Sequence, residues 1–343
     1  MIDATARLEH YVDHLAPVWH ALPHELRGEF FVPPVLEPHA RALGLNPSTY
    51  DGDGPVPWRS PGGFPILTAA SQDVRRAVPA GRPIVYLGHG IGQSFVSRGR
   101  RVKGYSGGPG FEAVDLFLAV NEPHAALWRE AYPSARVEVV GTPKLGGRPR
   151  EGGPRGDLVV ASFHWRCQMG IPEAGTAWDT YRPHLRKLAR RYRFALHAHP
   201  RIRDKVKIEA AMLGVPFFEH FDEVLDRAAV YLNDASSTLW EFAAYGGPVV
   251  VLNDPRFRRG VEHGLRFWSH ADVGPNVNRP ADLIPAVDLA LSDPPRIAER
   301  RRQVSAELYP YDDPATRAGV AILSAAPHAP PVGGTRAAIS HPA

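Results

Sequence analysis

The side chains best suited to chemistry lie in one short block, Asn233-Asp-Ala-Ser-Ser-Thr-Leu-Trp-Glu-Phe242. A predicted strand runs up to Asp234, and a run of three hydroxyls, Ser236, Ser237 and Thr238, then opens a helix. Ser236 or Asp234 can cap this helix, whose free N–H groups and dipole suit a phosphate. Glu241 follows Ser237 by four residues on the same helical face, where it can accept a hydrogen bond from a ribose hydroxyl. The block therefore predicts a nucleotide site, with an ordinary capped helix and a structural Glu241 as the alternative.

Two histidines follow other predicted strand ends. His89 lies in Gly88-His-Gly-Ile-Gly92, where the flanking glycines permit a tight turn that exposes the imidazole. Because the pKa of histidine lies near physiological pH, His89 is a candidate general base, and an incidental surface histidine is the alternative. His199 precedes Pro200, which restricts it to extended conformations. His197 and His199 point the same way if the strand continues, but no carboxylate or cysteine shares their spacing, so we expect no metal site.

Basic residues after strand ends are candidates for binding anions. Arg166 can fork onto a phosphate or a carboxylate, or alternatively stack on Trp165 for packing. The secondary candidates are Arg201 and three residues of a short basic run, Arg98, Arg101 and Lys103. This run would attract an anionic acceptor or membrane headgroups, unless it is simply a solvated loop. It is not interleaved with stacking aromatic residues, so we expect no nucleic-acid partner.

Short apolar strands that alternate with helices must position these residues, a pattern typical of parallel sheets covered on both faces. Ligands bind beyond the carboxyl ends of the strands in such sheets. We predict strands at Phe30–Val32, Phe64–Leu67, Ile84–Leu87, Val114–Val120, Val137–Val140, Leu158–Ala161, Phe194–His197, Val230–Asn233 and Val249–Leu252. The predicted helices are Leu8–Leu15, Leu36–Leu43, Ser71–Val78, Glu122–Tyr132, Thr176–Tyr192, Ser236–Tyr245, Ala281–Leu291, Pro295–Leu308 and Ala315–Ala325.

Length and composition place these elements in two domains. The chain has 343 residues, and a Gly-, Pro- and Arg-rich stretch at 146–156 is typical of a linker. We therefore expect domains at 1–148 and 149–326, followed by a disordered tail at 327–343. No apolar run is long enough to span a membrane, no signal peptide is evident, and there is a single cysteine. With a net charge of +4, these features predict a cytoplasmic protein, peripheral to a membrane at most.

The strand-end motifs, in this order, resemble the CDP-glycerol glycerophosphotransferase family, whose members build teichoic-acid-like polymers. The resemblance covers about residues 80–320 and rests most specifically on the Ser-Ser-x-x-x-Glu block and on His199-Pro200. The other matching segments are His89-Gly90, Phe163-His-Trp-Arg166, Gly141-Thr-Pro-Lys144, Gly247-Pro-Val-Val250 and Asp312-Asp-Pro-Ala-Thr-Arg317. It implies an α/β protein of the GT-B type, in which two Rossmann-like domains face each other across a cleft.

The resemblance also implies a reaction. A CDP-activated polyol donor, such as CDP-glycerol, would bind to Ser236, Ser237 and Glu241 of the second domain. His89 would deprotonate an acceptor hydroxyl, lipid-linked or on a glycan, and CMP would be released. His199 would either stabilise charge on the pyrophosphate or protonate the departing phosphate. No metal and no cofactor is implied. A GT-B glycosyltransferase with a nucleotide-sugar donor and a non-catalytic nucleotide- or polymer-binding module are the alternatives.

Overall fold

Two parallel β-sheets organise the chain. The computed structural model describes residues 1–60, 63–88, 90–91, 110–146, 156–166, 175–234, 236–257 and 266–325. The first sheet contains β1 (Ile2–Thr5), β2 (Arg27–Val32), β3 (Pro47–Thr49), β4 (Ile66–Thr68), β5 (Ile84–Leu87), β6 (Leu116–Ala119) and β7 (Arg136–Val139). The second contains β8 (Leu158–Phe163), β9 (Phe194–Ala198), β10 (Ala228–Asn233), β11 (Val249–Leu252) and β12 (Asn276–Val277).

The first sheet is buried on both faces, as its near-continuous apolar strands require. Along β5, for example, Val85 and Leu87 belong to the core on one face, and Ile84 and Tyr86 belong to the core on the other. The strand order is β3-β2-β1-β4-β5-β6-β7 with every pairing parallel. The connections therefore diverge between β1 and β4, which is the topological switch point of this sheet.

The second sheet has the order β12-β11-β10-β8-β9, and it is also parallel throughout. Its switch point lies between β8 and β10, and ligands of open parallel sheets bind at the carboxyl ends of the strands at such a point. The register pairs Ser162 with Asn233 on one side and with His197 on the other. Three polar residues therefore stand in a row across the carboxyl edge of an otherwise apolar sheet.

Helices cover both sheets and connect their strands. They are α1 (Glu9–Ala21), α2 (Glu37–Ala42), α3 (Ser71–Ala77), α4 (Glu122–Ala131), α5 (Trp178–Tyr181), α6 (Leu185–Arg191), α7 (Arg203–Leu213), α8 (Phe221–Arg227), α9 (Thr238–Ala244), α10 (Leu283–Ser292), α11 (Pro295–Leu308) and α12 (Pro314–Ala325). The single helix predicted at Thr176–Tyr192 is wrong: α5 and α6 are separated by a 3-10 turn at Arg182–His184. Pro183 explains the break, because it has no N–H to continue the helical hydrogen bonds.

The last helix returns to the first sheet. Ala318, Ala321 and Ile322 of α12 are buried in the same core as α1, although α10 and α11 pack with the second sheet. The side-chain amide of Asn121 also donates to the carbonyl of Leu308 at 3.3 Å. The prediction of two parallel-sheet α/β domains is confirmed, whereas the division at residue 148 stays a prediction. The tail at 327–343 lies outside the described residues.

Candidate functional site

A cleft of about 790 Å³ lies where the carboxyl edge of the second sheet meets α1 and α2 of the first domain. Of the 16 histidines in the chain, eight line this cleft. The polar and charged lining residues of the first domain include Glu9, His10, Asp13, His14, His20, His39 and Lys144. Those of the second domain include Ser162, His164, His197, His199, Arg201, Arg203, Glu219, His220, Asp222, Ser236, Ser237, Thr238 and Glu241. The sequence-predicted hydroxyls, Glu241 and His199 therefore share one cavity.

The hydroxyl block, defined as the three residues Ser236, Ser237 and Thr238, is connected to the end of β10 by a buried chain of hydrogen bonds. The Tyr231 hydroxyl lies 3.0 Å from Thr238 Oγ1 and accepts from Asn233 Nδ2 at 3.0 Å, and Thr238 Oγ1 donates to Ser236 Oγ at 3.0 Å. The backbone N–H of Ser236 donates to Asn233 Oδ1 at 3.2 Å. Because Ser236 Oγ already accepts from Thr238, its own proton is left to donate to a ligand.

The helix after this block begins later than predicted, and the predicted caps are wrong. Ser237 is the N-cap residue, its side chain makes no capping hydrogen bond, and α9 starts at Thr238. Ser237 Oγ forms no hydrogen bond with any described residue, and Ser237 lines the cleft. A Cβ placed on Gly90 would lie 3.1 Å from Ser237 Oγ, so the loop after β5 touches the hydroxyl block. Ser237 is thus available to a ligand at the contact between the two domains.

Asp234 and Arg166 lie elsewhere than on the cleft wall. The carboxylate of Asp234 accepts from the backbone N–H groups of His164 and Ala177, both at 2.8 Å, and from Thr176 Oγ1 at 3.2 Å. With its oxygens engaged and its side chain buried, Asp234 anchors the loops around the site. Arg166 is exposed and pairs with Asp179 at 3.1 Å. Neither residue lines the cleft. Binding of the donor by Asp234 and Arg166 therefore stays a prediction that their positions do not support.

Glu241 lies in the cleft with a partner that sequence reasoning missed. Its Oε2 is 3.1 Å from Lys144 Nζ, which also lies 5.0 Å from the centre of the Phe221 ring. Burial opposes the charged form of Lys144, but the carboxylates of Glu241 and Asp13 outweigh this effect and raise its pKa. The segment Gly141-Thr-Pro-Lys144 was the signal in the sequence, because it had matched a family motif without being given a role.

His199 is held as a neutral hydrogen-bond donor. Burial, reinforced by the neighbouring His164 and Arg201, lowers the pKa of His199 to about 2. Its Nδ1 accepts from the backbone N–H of Arg201 at 3.2 Å, which places the ring proton on Nε2. The ring is edge-on to His164 at 5.0 Å, and the Arg201 guanidinium lies 4.3 Å from the centre of the Trp165 ring. Of the two roles expected for His199, charge stabilisation fits this state and proton donation does not.

Burial also favours the neutral form of two further cleft histidines, His197 and His164. Burial, with a contribution from Lys144, lowers the pKa of His197 to about 3, and its Nδ1 lies 2.9 Å from Ser162 Oγ. Burial lowers the pKa of His164 to about 4. Among the residues that the structure describes, no group of three or more His, Cys, Asp or Glu side chains is placed to hold a metal ion.

The first domain closes the cleft through charge pairs and stacked rings. Glu9 of α1 forms two contacts with the Arg203 guanidinium, at 2.5 and 3.4 Å. His39 Nε2 lies 2.7 Å from Asp13 Oδ1, and this hydrogen bond raises the pKa of His39. The His39 ring stacks on that of His220 across the cleft, with centroids 5.9 Å apart. These contacts join residues far apart in the sequence, so no local pattern predicted them.

Four predicted site residues lie outside the described part of the chain: His89, Arg98, Arg101 and Lys103. The glycines next to His89 are described. A Cβ at Gly88 would be 3.1 Å from the Trp128 ring, and Gly90 adopts a φ of +72° beside Ser237. A side chain at Gly88 would therefore be in tight contact with Trp128, and the backbone conformation of Gly90 favours glycine.

Comparisons with known proteins show where this fold recurs. No protein-family model and no curated protein matches the chain. Among solved structures, S. aureus MnaA with UDP gives a TM-score of 0.62 at 14% identity, covering 92% of this chain and 93% of that one. The wall teichoic acid polymerase TagF, soaked with CDPG, gives 0.61 at 10% identity over 94% of this chain and 87% of that one. The calicheamicin glycosyltransferase CalG4 gives 0.56 at 16% identity over 94% and 98%.

These similarities extend over nearly the whole chain and include two transferases of the GT-B fold. At 10–16% identity these similarities show the fold of the chain and do not show its substrates. Chemically, the cleft offers hydroxyl and imidazole donors to an anion, and the carboxylate of Glu241 to a hydroxyl-bearing ligand. Within the described residues, no helix combines the length and apolar character needed to cross a membrane. Two parallel-sheet domains facing each other across a polar cleft give this chain the GT-B fold.

Proposed function

We propose that the protein transfers a polyol phosphate, with glycerol phosphate as the leading candidate, from a CDP-activated donor to an acceptor hydroxyl. The observation that carries this proposal is the convergence of Ser236, Ser237, Glu241 and His199 on one cleft at the switch point of the second sheet. The same residue types in the same order carry the resemblance to glycerophosphotransferases. The similarity to TagF, which was soaked with CDPG, adds support at the level of the fold.

The diphosphate of the donor would be held by neutral donors and nearby cations. Ser237 Oγ and the proton of Ser236 are uncommitted, and His199 presents Nε2–H. Arg201 of the second domain and Lys144 of the first domain supply positive charge at the lining of the cleft. Glu241 Oε1 makes no hydrogen bond with a described residue, so it can accept from a ribose hydroxyl. This set matches a nucleoside diphosphate better than a free sugar, which offers no anion to the hydroxyls and imidazole.

The reaction requires one bond to form and one to break. The acceptor oxygen attacks the β-phosphorus, and the bond from that phosphorus to the oxygen bridging the two phosphates breaks, so CMP leaves. We assign His89 to receive the acceptor proton, on the basis of the resemblance and the contact between Gly90 and Ser237. His199 donates through Nε2–H to the phosphate oxygens as charge builds up. Positioned donors of this kind contribute roughly 10²–10³-fold each.

A second candidate is transfer of a sugar from a nucleotide sugar, favoured by the fold shared with CalG4 and with MnaA bound to UDP. The two reactions differ in their nucleotide product. Phosphate transfer from CDP-glycerol releases a nucleoside monophosphate, whereas sugar transfer breaks the C–O bond and releases a nucleoside diphosphate. A non-catalytic binding module would release neither.

The test is a product assay with the full chain. CDP-glycerol, CDP-ribitol or UDP-GlcNAc is incubated with excess glycerol as a simple hydroxyl acceptor, and released nucleotides are separated by chromatography. We expect CMP from a CDP-polyol, with loss of release in His89→Ala and His199→Ala and no loss in the exposed control His24→Ala. Release of UDP from UDP-GlcNAc alone would favour the second candidate. Binding without any release would overturn the enzymatic proposal.

A cytoplasmic location with peripheral membrane contact forms part of this proposal. It rests on the expected anionic or lipid-linked acceptor and on the basic run that contains Arg98, Arg101 and Lys103. Co-sedimentation of the chain with anionic and with neutral lipid vesicles tests it. Binding to anionic vesicles only, weakened by salt, is the expected result, and equal recovery with both would contradict it.

A further inference from the structure

Lys144 occupies an unusual place, because it belongs to the segment that connects the two domains and yet reaches into the cleft. It lies in the turn Pro143–Leu145, on which α1 and α12 pack from the first domain. The neighbouring Leu145 is buried in the core of the second domain, and its carbonyl accepts from the Tyr245 hydroxyl at 3.2 Å. The backbone of Lys144 is thus held from both sides, which fixes the point from which its side chain reaches into the cleft.

The ammonium group of Lys144 engages only one oxygen of Glu241. Nζ is 3.1 Å from Oε2, while Oε1 makes no hydrogen bond with a described residue. The residue Glu241 is 1% exposed, and the side chain of Lys144 is 16% exposed. A carboxylate this deeply buried is costly to keep charged without a partner. Lys144 therefore compensates the charge of Glu241 through Oε2 and leaves Oε1 of this cleft-lining residue without a described partner.

We propose that Lys144 is a positioning residue for the nucleotide: it orients Glu241 so that Oε1 reads the hydroxyls of a ribose. The site would consequently discriminate ribonucleotides from deoxyribonucleotides, and this discrimination would depend on Lys144 although Lys144 does not touch the sugar. This inference rests on the proposed function, since it assumes a nucleotide at Glu241. It adds a role for a residue of the connecting segment and makes recognition of the ribose depend on that residue.

A purely structural ion pair would behave differently. Loss of such a pair lowers stability and weakens every ligand alike, whereas loss of a positioning contact weakens only ligands that carry the hydroxyl read by Glu241. The readout is therefore the ratio of two dissociation constants, that for 2′-deoxyCMP or 3′-deoxyCMP divided by that for CMP. Fold stability cancels from this ratio, because all the ligands bind the same folded protein.

The experiment measures this ratio by titration calorimetry on the full chain. The variants are Glu241→Gln, Lys144→Met, Lys144→Arg and the double variant of the first two. Lys187→Met, an exposed lysine of α6, is the matched control for charge removal. We expect the wild type to prefer CMP to at least one deoxynucleotide by about tenfold or more, because a hydrogen bond to a charged group is worth that much. Lys144→Met should lower the preference as far as Glu241→Gln does, and the double variant should lower it no further.

Each outcome bears on a different claim. Lys144→Arg and Lys187→Met should keep the wild-type ratio. The inference is wrong if Lys144→Met keeps the wild-type ratio. It is also wrong if the ratio in the double variant is lowered by the product of the two single effects. Both results would leave the proposed function intact. If the wild type binds no nucleotide, the proposed function itself is wrong. Should Lys144→Met fail to fold, Lys144→Gln, which keeps an uncharged donor on a shorter stem, must still lower the ratio, and an unchanged ratio there counts equally against the inference.

Discussion

Asp73 is a buried carboxyl group whose ionisation should make the stability of the fold depend on pH. It lies in the first turn of α3, just beyond β4 at the switch point of the first sheet, and it is fully buried. Neither of its carboxylate oxygens has a hydrogen-bond partner among the described residues. Burial raises the pKa of Asp73 from 3.8 to about 7, although the charges of Arg7 and Arg76 oppose this shift.

The sign of the effect follows from linkage. The folded state binds the proton of Asp73 more tightly than the unfolded state, so ionisation disfavours folding. The cost is absent below pH ~4, grows between the two pKa values, and is complete above pH ~7. A shift of about three units corresponds to at most about 4 kcal/mol. Asp73→Asn removes this cost, so the free energy of unfolding at pH 8 should rise by a few kcal/mol, about 2–4.

Urea unfolding of the wild type and Asp73→Asn at pH 8 and pH 5 measures this cost. The difference between the two proteins should be large at pH 8 and much smaller at pH 5, because the wild-type carboxyl is then protonated in the folded state. Asp204→Asn, which changes an exposed aspartate in the first turn of α7, is the control and should show a small difference at both values. A destabilised Asp73→Asn at pH 8, or a difference independent of pH, would show that ionisation of Asp73 does not oppose folding.

Three further predictions concern the site and the core. His199→Ala should lower CMP release by roughly 10²–10³-fold, whereas His199→Gln, which keeps an amide donor, should lose less. Because the pKa of His199 is about 2, this residue should not titrate between pH 5 and 8. The dependence of the rate on pH in this range should therefore have the same shape in the wild type and in His199→Gln. Gly90→Ala should lower the melting temperature and weaken donor binding, since φ is +72° and the new Cβ would lie 3.1 Å from Ser237. Asp3→Ala should destabilise the fold by about 3–5 kcal/mol in urea unfolding, because it leaves the buried Arg82 guanidinium unpaired.

The sequence predicted strands well wherever a strand is an uninterrupted apolar run. Ile84–Leu87 and Val249–Leu252 have the predicted bounds. Three strands were not predicted: β3, β12 and, at the centre of the first sheet, β1. The sequence of β1, Ile2-Asp-Ala-Thr5, contains a charge, which the fold compensates with Arg82 at 2.6 Å and with hydrogen bonds from Ser60 Oγ and the backbone N–H of Glu29. A contact across 79 residues leaves no local pattern from which a strand could be predicted.

In the candidate site too, features set by the local sequence were predictable, and features set by contacts between distant segments were not. Residues that follow strand ends, such as Ser236 and His199, were predictable because parallel strands bring their carboxyl ends together. The role of Asp234 was not, since the backbone N–H groups that it accepts from belong to segments more than 50 residues away. Lys144 and Arg203 were missed for a related reason: each owes its position to a carboxylate in the opposite domain.

Binding of the donor diphosphate by the hydroxyls of Ser236 and Ser237 can be measured by titrating CDP-glycerol into the wild type and into the double variant Ser236→Ala, Ser237→Ala. We expect saturable binding by the wild type. Binding should be weaker by about tenfold or more in the double variant, since each hydroxyl would lose a hydrogen bond to a charged group. Equal affinity in the two proteins, or no binding by the wild type, would contradict this role of the two hydroxyls.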